Sequence, residues 1–252
     1  MMMRSFLIIM LLLTGASVWA AEEAGAGYEF TADLSDQAAL QRGARTFVNY
    51  CLSCHSAAYM RFNRMGKDLG IPDVVLLENF MFGTDKVGNT MTISLLKDDA
   101  VRYFGVAPPD LSVTARARGA EWLYNYLMSF YLDPAKPTGV NNLTFKDVAM
   151  PHVLWELQGF QKAVYVEETG VDGLPVKKID HLELIAPPKS KPAAYQNETY
   201  EQTVSDLVNF MVYMGEPIKL QRYSFGVWVI FYLVFFLIIT YFLKKEYWKD
   251  VH

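Results

Sequence analysis

The chain has 252 residues, enough for one sizeable domain with attachments or for two small domains. Its 27 acidic side chains outnumber 23 basic ones, and over residues 21–224 the balance is 25 to 19, a net charge of −6. That balance argues against a nucleic-acid partner and suits a basic protein partner.

Residues 1–20 read as a secretory signal peptide. Arg4 is a short positive n-region, Phe6 to Leu13 an apolar h-region, and Val18-Trp19-Ala20 puts small residues at the two cleavage-reading positions. Cleavage after Ala20 is expected, followed by an irregular lead-in over 21–34. Ser35 with Asp36 offers a helix cap, and Leu40, Ala44, Phe47 and Cys51 recur at helical spacing.

That helix runs into Cys51-Leu52-Ser53-Cys54-His55, the C-x-x-C-H pattern of c-type haem attachment, which uses both cysteines of the chain. Two cysteines at this spacing add across the two vinyl groups of a haem as thioethers. The next residue then sits under the iron and offers an imidazole nitrogen as axial ligand. Other readings fit less well. A disulfide closing so short a loop constrains little of the unfolded chain. A thioredoxin-like pair needs a βαβ pattern, absent here, and a zinc site needs further paired ligands, whereas the other histidines are scattered.

Ser56 to Met65 is expected to continue as a short helix. Asn79 to Met81 and Leu95 to Phe104 are further helix candidates, 83–89 a loop, and Pro108-Pro109-Asp110-Leu111-Ser112 a turn that stops any helix. Ala120, Leu123, Tyr124, Leu127, Met128 and Tyr131 predict a strong helix reaching Asp133-Pro134, followed by a loop over 133–145. Residues 164–185 carry two β-prone pieces around Gly170 and Gly173, read as a hairpin; Ala186 to Ala194 is Pro/Lys-rich and expected to be exposed. Glu201 to Met214 predicts a helix with Val204, Leu207, Val208, Met211 and Met214 on one face, ended by Gly215 and Pro217.

Phe225 to Leu243 is nineteen residues without a charge. At about 1.5 Å rise per residue it spans just under ~30 Å, one hydrocarbon core. Tyr223, Tyr241, Tyr247 and Trp248 lie near its ends, and Lys244, Lys245 and Lys249 follow. The expected organisation is therefore a signal peptide (1–20), an exported domain (21–224), a transmembrane helix (225–243) and a cytoplasmic tail (244–252).

A haem with one histidine leaves its other face to be filled, and a methionine sulfur there raises the potential and suits electron transfer. The choices are Met60, Met65, Met81, Met91, Met128, Met150, Met211, Met214, His152 and His181. Met128, Met211 and Met214 lie on helical apolar faces, where methionine fills core gaps. Met60 and Met65 are close to His55 in sequence. Met150 stands out, in a non-helical segment stiffened by Pro151, with Met81, Met91 and His152 behind it.

Taken together, CLSCH at 51–55, PPDLS at 108–112, RARG at 116–119, MPHVLWELQG at 150–159 and the single C-terminal span with its basic tail resemble the cytochrome c1 family in its bacterial form. The motifs run in the family's order over nearly the whole mature chain. The resemblance implies one covalent haem c on Cys51 and Cys54, axial ligands His55 and Met150, and a propionate contact at Arg118, with Arg116 the competing choice. Pro109 is implied to pack on the haem. The fold implied is mainly α, a cytochrome c-like haem domain with long loops and one C-terminal transmembrane helix. The stretch before PPDLS is here Arg-Tyr-Phe-Gly-Val-Ala, unlike the asparagine-containing segment of mitochondrial members, and the spacing after RARG is shorter, so no haem contact transfers to Trp122, Leu123 or Tyr124. The additional disulfide of some bacterial relatives needs more than two cysteines.

The function implied is the electron-transfer subunit of a quinol–cytochrome c oxidoreductase, the bc1 complex. It would lie in the bacterial inner membrane with its haem domain in the periplasm. Electrons would come from the Rieske iron–sulfur protein and leave to a cytochrome c, with cytochrome b as the other partner and a dimeric complex as the assembly. An acidic surface including Glu167, Glu168 and Asp172 would steer a basic cytochrome. The alternatives are a haem-bearing subunit of a terminal oxidase or other electron shuttle, and a catalytic or gas-sensing haem protein with an open sixth position.

Overall fold

The computed structural model describes residues 27–169 and 174–250. The expected signal peptide, Asp172 and the last two residues lie outside these. The fold is mainly helical, as expected, with three small antiparallel strand pairs set into the loops.

The core is built on two helices, α1 (Gln37–Thr46) and, far along the chain, α8 (Tyr200–Gly215). The N-cap of α1 is Asp36, whose carboxylate accepts the Ala39 N–H. Ser35 instead donates to Asp33. The two helices meet where α1 carries Gly43: a Cβ there would stand 2.0 Å from the Asp206 carbonyl oxygen and 2.8 Å from the Phe210 Cβ. This close approach brings Ala44, Phe47, Val204, Leu207, Val208 and Phe210, all essentially fully buried, into one cluster. Each contributes roughly 1.5–3 kcal/mol of apolar burial, less for Ala44. At the rim of the crossing Arg42 donates to the buried Asp206 carboxylate at 2.5 and 3.2 Å.

Between these helices the chain forms β1 (Ala57–Arg61), α2 (Phe62–Leu69), α3 (Asp73–Asn79), β2 (Thr90–Met91), α4 (Lys97–Phe104), α5 (Thr114–Arg118) and α6 (Ala120–Met128). There follow β3 (Phe130–Leu132), β4 (Val140–Asn142), α7 (Trp155–Gln158) and a long hairpin of β5 (Phe160–Thr169) and β6 (Pro175–Ala186). β1 pairs with β2, β3 with β4 and β5 with β6, the last in a register running from Phe160↔Ala186 to Thr169↔Pro175.

Four expectations need correction. Ser56 to Met65 is not one helix: 57–61 is a strand, because it pairs with β2 and the N–H groups of Ala58 and Tyr59 are taken by PPDLS, as described below. The helix expected at Asn79 to Met81 ends at Asn79, and Phe80 and Met81 turn into the core. The helix from Ala120 stops at Met128 rather than at Asp133, and Tyr131 lies in β3. Side chains from later in the chain end it there: Asn142 Nδ2 donates to the Tyr126 carbonyl at 2.7 Å, and Gln158 and Gln161 to that of Met128 at 3.3 and 3.1 Å. With the helix ended, Phe130–Leu132 pairs with Val140–Asn142, so the expected loop 133–145 contains β4.

The C-terminal helix α9 (Lys219–Tyr247) is longer than the uncharged stretch at both ends, and none of it is buried against the rest of the chain. Thr240, a hydroxyl within the apolar stretch, donates back to the Phe236 and Leu237 carbonyls at 2.9 and 3.0 Å, so this hydroxyl is satisfied within the helix.

Candidate functional site

The helix α1 does not end cleanly before the cysteines. It widens into a π-turn over Phe47–Cys51, a distortion that places Cys51 out of simple helical register. The chain then closes tightly, with the Cys54 and His55 N–H groups both donating to the Cys51 carbonyl, at 3.1 and 2.9 Å. The thiols of Cys51 and Cys54 are free. Cys51 is buried, and burial, then Cys54, pushes its thiol up to about 12. A dithiol exchange centre needs the opposite, an accessible thiol of lowered pKa.

His55 is half-buried, and its ring is oriented by the PPDLS turn. Its Nδ1 lies 2.7 Å from the Pro109 carbonyl oxygen. A carbonyl only accepts, so Nδ1 carries the proton and Nε2 is left with its lone pair, the tautomer a metal-ligating imidazole requires. Burial lowers the pKa of the ring and so favours the neutral form, opposed in part by the bond to Pro109 and by the Asp110 carboxylate. The turn itself is zipped to the residues after His55. The Leu111 N–H donates to the Ser56 carbonyl at 2.8 Å, the Ala58 N–H to Asp110 at 2.8 Å and the Tyr59 N–H to Ser112 Oγ at 3.1 Å. The side chain of Pro109 is exposed, and its contribution within the chain is this carbonyl.

Met150 is half-buried against a small cluster of Phe130, Val140 and Val148. The Tyr126 hydroxyl donates to its sulfur at 3.2 Å. The loop leading to it is pinned by two asparagines: Asn142 Oδ1 accepts the Thr144 and Phe145 N–H groups at 2.9 and 3.0 Å, and Asn141 Oδ1 that of Asp147 at 2.9 Å. Asp147, with φ +61°, is also ion-paired with Lys136. The segments carrying Cys51 and Met150 are tied together. Tyr50, beside Cys51, donates its hydroxyl to Glu156 of α7, and Leu154 and Leu157 share the core cluster of Cys51.

The rival ligands take other places. Met60, Met65, Met81, Met91, Met128, Met211 and Met214 are buried within the main core. His181 lies on the exposed hairpin beside Asp180. His152 is buried, stacked on Phe130 at 5.0 Å, with Nε2 unpartnered; burial lowers it to about 4.

The guanidinium of Arg118 lies 4.9 Å over the Trp122 ring, which stacks on Tyr126 at 5.2 Å and 8°. Arg118, Trp122 and Tyr126 thus form one column leading to Met150. The Arg116 Cβ instead lies 3.8 Å from where a Cβ on Gly215 of α8 would stand. On the hairpin, Glu168 is paired with Lys178 at 3.3 Å and Glu167 is in register with Lys177, so part of the acidic surface there is balanced locally.

Two thiols, an imidazole with Nε2 open and a thioether form a donor set that fits a haem c. The sequence marks Asp110 only as part of the PPDLS motif, with no role of its own, and does not mark Tyr126 or Asn142; Tyr126 leaves a trace in its four-residue spacing after Trp122, itself four after Arg118.

A family model described as the cytochrome C1 family matches residues 184–251. Cytochrome c1 of Allochromatium vinosum is 48% identical over 220 residues, covering 87% of this chain and 87% of that protein. A Nitrosomonas europaea protein named ammonia monooxygenase gamma subunit is 46% identical over 220 residues, 87% of this chain and 86% of its own. Cytochrome c1 of Rhodospirillum rubrum is 26% identical over 239 residues, 86% of this chain and 83% of its own. With this identity over most of both chains, and a fold and donor set that agree, the chain belongs to the cytochrome c1 family.

Proposed function

We propose that this chain is the haem electron-transfer subunit of a bc1 complex, working with cytochrome b and a Rieske iron–sulfur protein and delivering electrons to a cytochrome c. One haem c would be held by thioethers to Cys51 and Cys54, with His55 Nε2 and Met150 Sδ as axial ligands. The observation that supports this best is the Pro109 carbonyl, which accepts the Nδ1–H of His55 and leaves Nε2 its lone pair, one residue from a free thiol. When bound, haem c supplies the one-electron iron couple.

The chain's own residues do the rest. Pro109 and the PPDLS zipper hold the imidazole, and Asn141 and Asn142 hold the loop of Met150. Arg118 is the favoured propionate partner, since its column leads to Met150, whereas Arg116 lies toward α8. Its guanidinium stays charged and forks onto a carboxylate. Outer-sphere electron transfer requires no group on the chain to move a proton, and in this reading quinol oxidation is left to the partner subunits. The chain is anchored by α9, with the haem domain in the periplasm, the C-terminal tail cytoplasmic and the complex a dimer. Membership of the cytochrome c1 family removes the support for the terminal-oxidase alternative.

Substitution Met150→Leu in the intact complex tests the ligand set. The haem stays covalently attached while its potential falls sharply, read by redox titration. An unchanged potential would move the ligand elsewhere, with the unpartnered Nε2 of His152 the next choice.

A further inference from the structure

We propose that Tyr126 is a positioning residue for Met150, donating its hydroxyl proton to the thioether sulfur and so setting how strongly that sulfur donates to iron. This rests on the reading of Met150 as axial ligand. The contact is 3.2 Å from hydroxyl oxygen to sulfur. A phenol is protonated at neutral pH and has a proton to give.

Both sides of the contact are held. The Tyr126 ring is stacked on Trp122 at 5.2 Å and meets Phe130 edge-on at 5.2 Å and 72°. Trp122 is flanked in turn by the Arg118 guanidinium and by the edge of Phe145 at 6.4 Å. The Tyr126 carbonyl accepts from Asn142, and the same Asn142 pins the loop that leads to Met150, so one asparagine ties donor and acceptor together. Tyr126 and Met150 both pack against the cluster of Phe130, Val140 and Val148.

A thioether sulfur has two lone pairs. One can bind iron while the other accepts the Tyr126 proton. Donation of that hydrogen bond draws electron density from the sulfur and weakens its bond to the electron-poor ferric iron more than to the ferrous iron. The reduced state is thereby favoured and the potential raised.

The test is Tyr126→Phe in the membrane-extracted complex, which removes one oxygen and keeps the ring stack. Reduction becomes about threefold less favourable, roughly 30 mV at 59 mV per tenfold. The sulfur-to-iron charge-transfer band of the oxidised protein shifts, and the haem stain on a denaturing gel is unchanged. If the variant does not accumulate, the wild-type complex answers the question: transfer to deuterated water shifts its iron–sulfur stretching vibration. An unchanged potential in Tyr126→Phe beside a sharp fall in Met150→Leu overturns the role of Tyr126 and leaves the ligand in place. So does an iron–sulfur vibration insensitive to deuteration. No fall in Met150→Leu removes the ligand reading, and this inference with it.

Discussion

Asp110 shows how one side chain keeps the imidazole of His55 in place from a distance. Its carboxylate accepts the N–H of Ala58 and that of Ser112, each at 2.8 Å, and so closes the PPDLS turn against the strand that follows the C-x-x-C-H motif. Partial burial works to raise its pKa, but the bonds from Ser112 and Ala58 outweigh it and hold the carboxyl below the ordinary carboxylate range. A depressed value means that the stabilisation is present above the unfolded pKa of about 3.9 and is lost as pH falls through the lower folded value. Asp110→Ala is therefore expected to cost about 1 kcal/mol at neutral pH, near the low end for two lost bonds because the site is exposed. Denaturant titration should show the difference from wild type shrinking as pH falls below about 4. A difference independent of pH would mean that the charge plays no part.

The residues of the site were unequally legible in the sequence. Cys51, Cys54 and His55 could be read because the pattern for haem attachment is a contiguous one, C-x-x-C-H. The part played by Pro109 could not, since its backbone carbonyl is what acts and any residue carries one. Tyr126 and Met150 are 24 positions apart, and their meeting depends on the stop that Asn142 imposes on α6.

At the scale of elements, the crossing of α1 and α8 positions the C-x-x-C-H motif, and it depends on the missing side chain of Gly43. Gly43→Ala would force a methyl to within 2.0 Å of a backbone oxygen, in contact with no flexible atom that can give way. Overpacking of this kind costs about 3 kcal/mol. In a domain of this size that lowers the melting temperature by roughly 6–12 °C, measurable as loss of helical circular dichroism. An unchanged melting temperature would show that the crossing can relax. Amphipathic periodicity revealed both helices, because each buries one face along its length. It failed over 57–61, where the backbone is recruited by a turn some fifty positions later, and at Tyr131, where the apolar spacing continued but side-chain caps ended the helix. Local pattern carries no record of such distant acceptors.

The molecule as a whole divides its work between an apolar anchor and a polar domain. The helix α9 gains nothing from the rest of the chain, its apolar surface faces outward along its length, and a membrane is the medium that accepts it. The domain before it encloses a core that includes Cys51, with His55 and Met150 half-buried at its margin. An outer-sphere electron carrier of the kind proposed above needs such an arrangement, with its donor side chains held by the core yet near the surface. Membership of the cytochrome c1 family places that design among redox subunits of a membrane oxidoreductase.

The most direct test of the central claim, a covalent haem c carried by this chain within a bc1 complex, is a reduced-minus-oxidised optical spectrum of the assembly purified through it, read beside a haem-stained denaturing gel. The expected result is a c-type α-band with a b-type haem alongside, and a stained band at the mass of this chain. A chain that does not stain, or one that purifies with copper-oxidase subunits and no b-type quinol-oxidising partner, would contradict it.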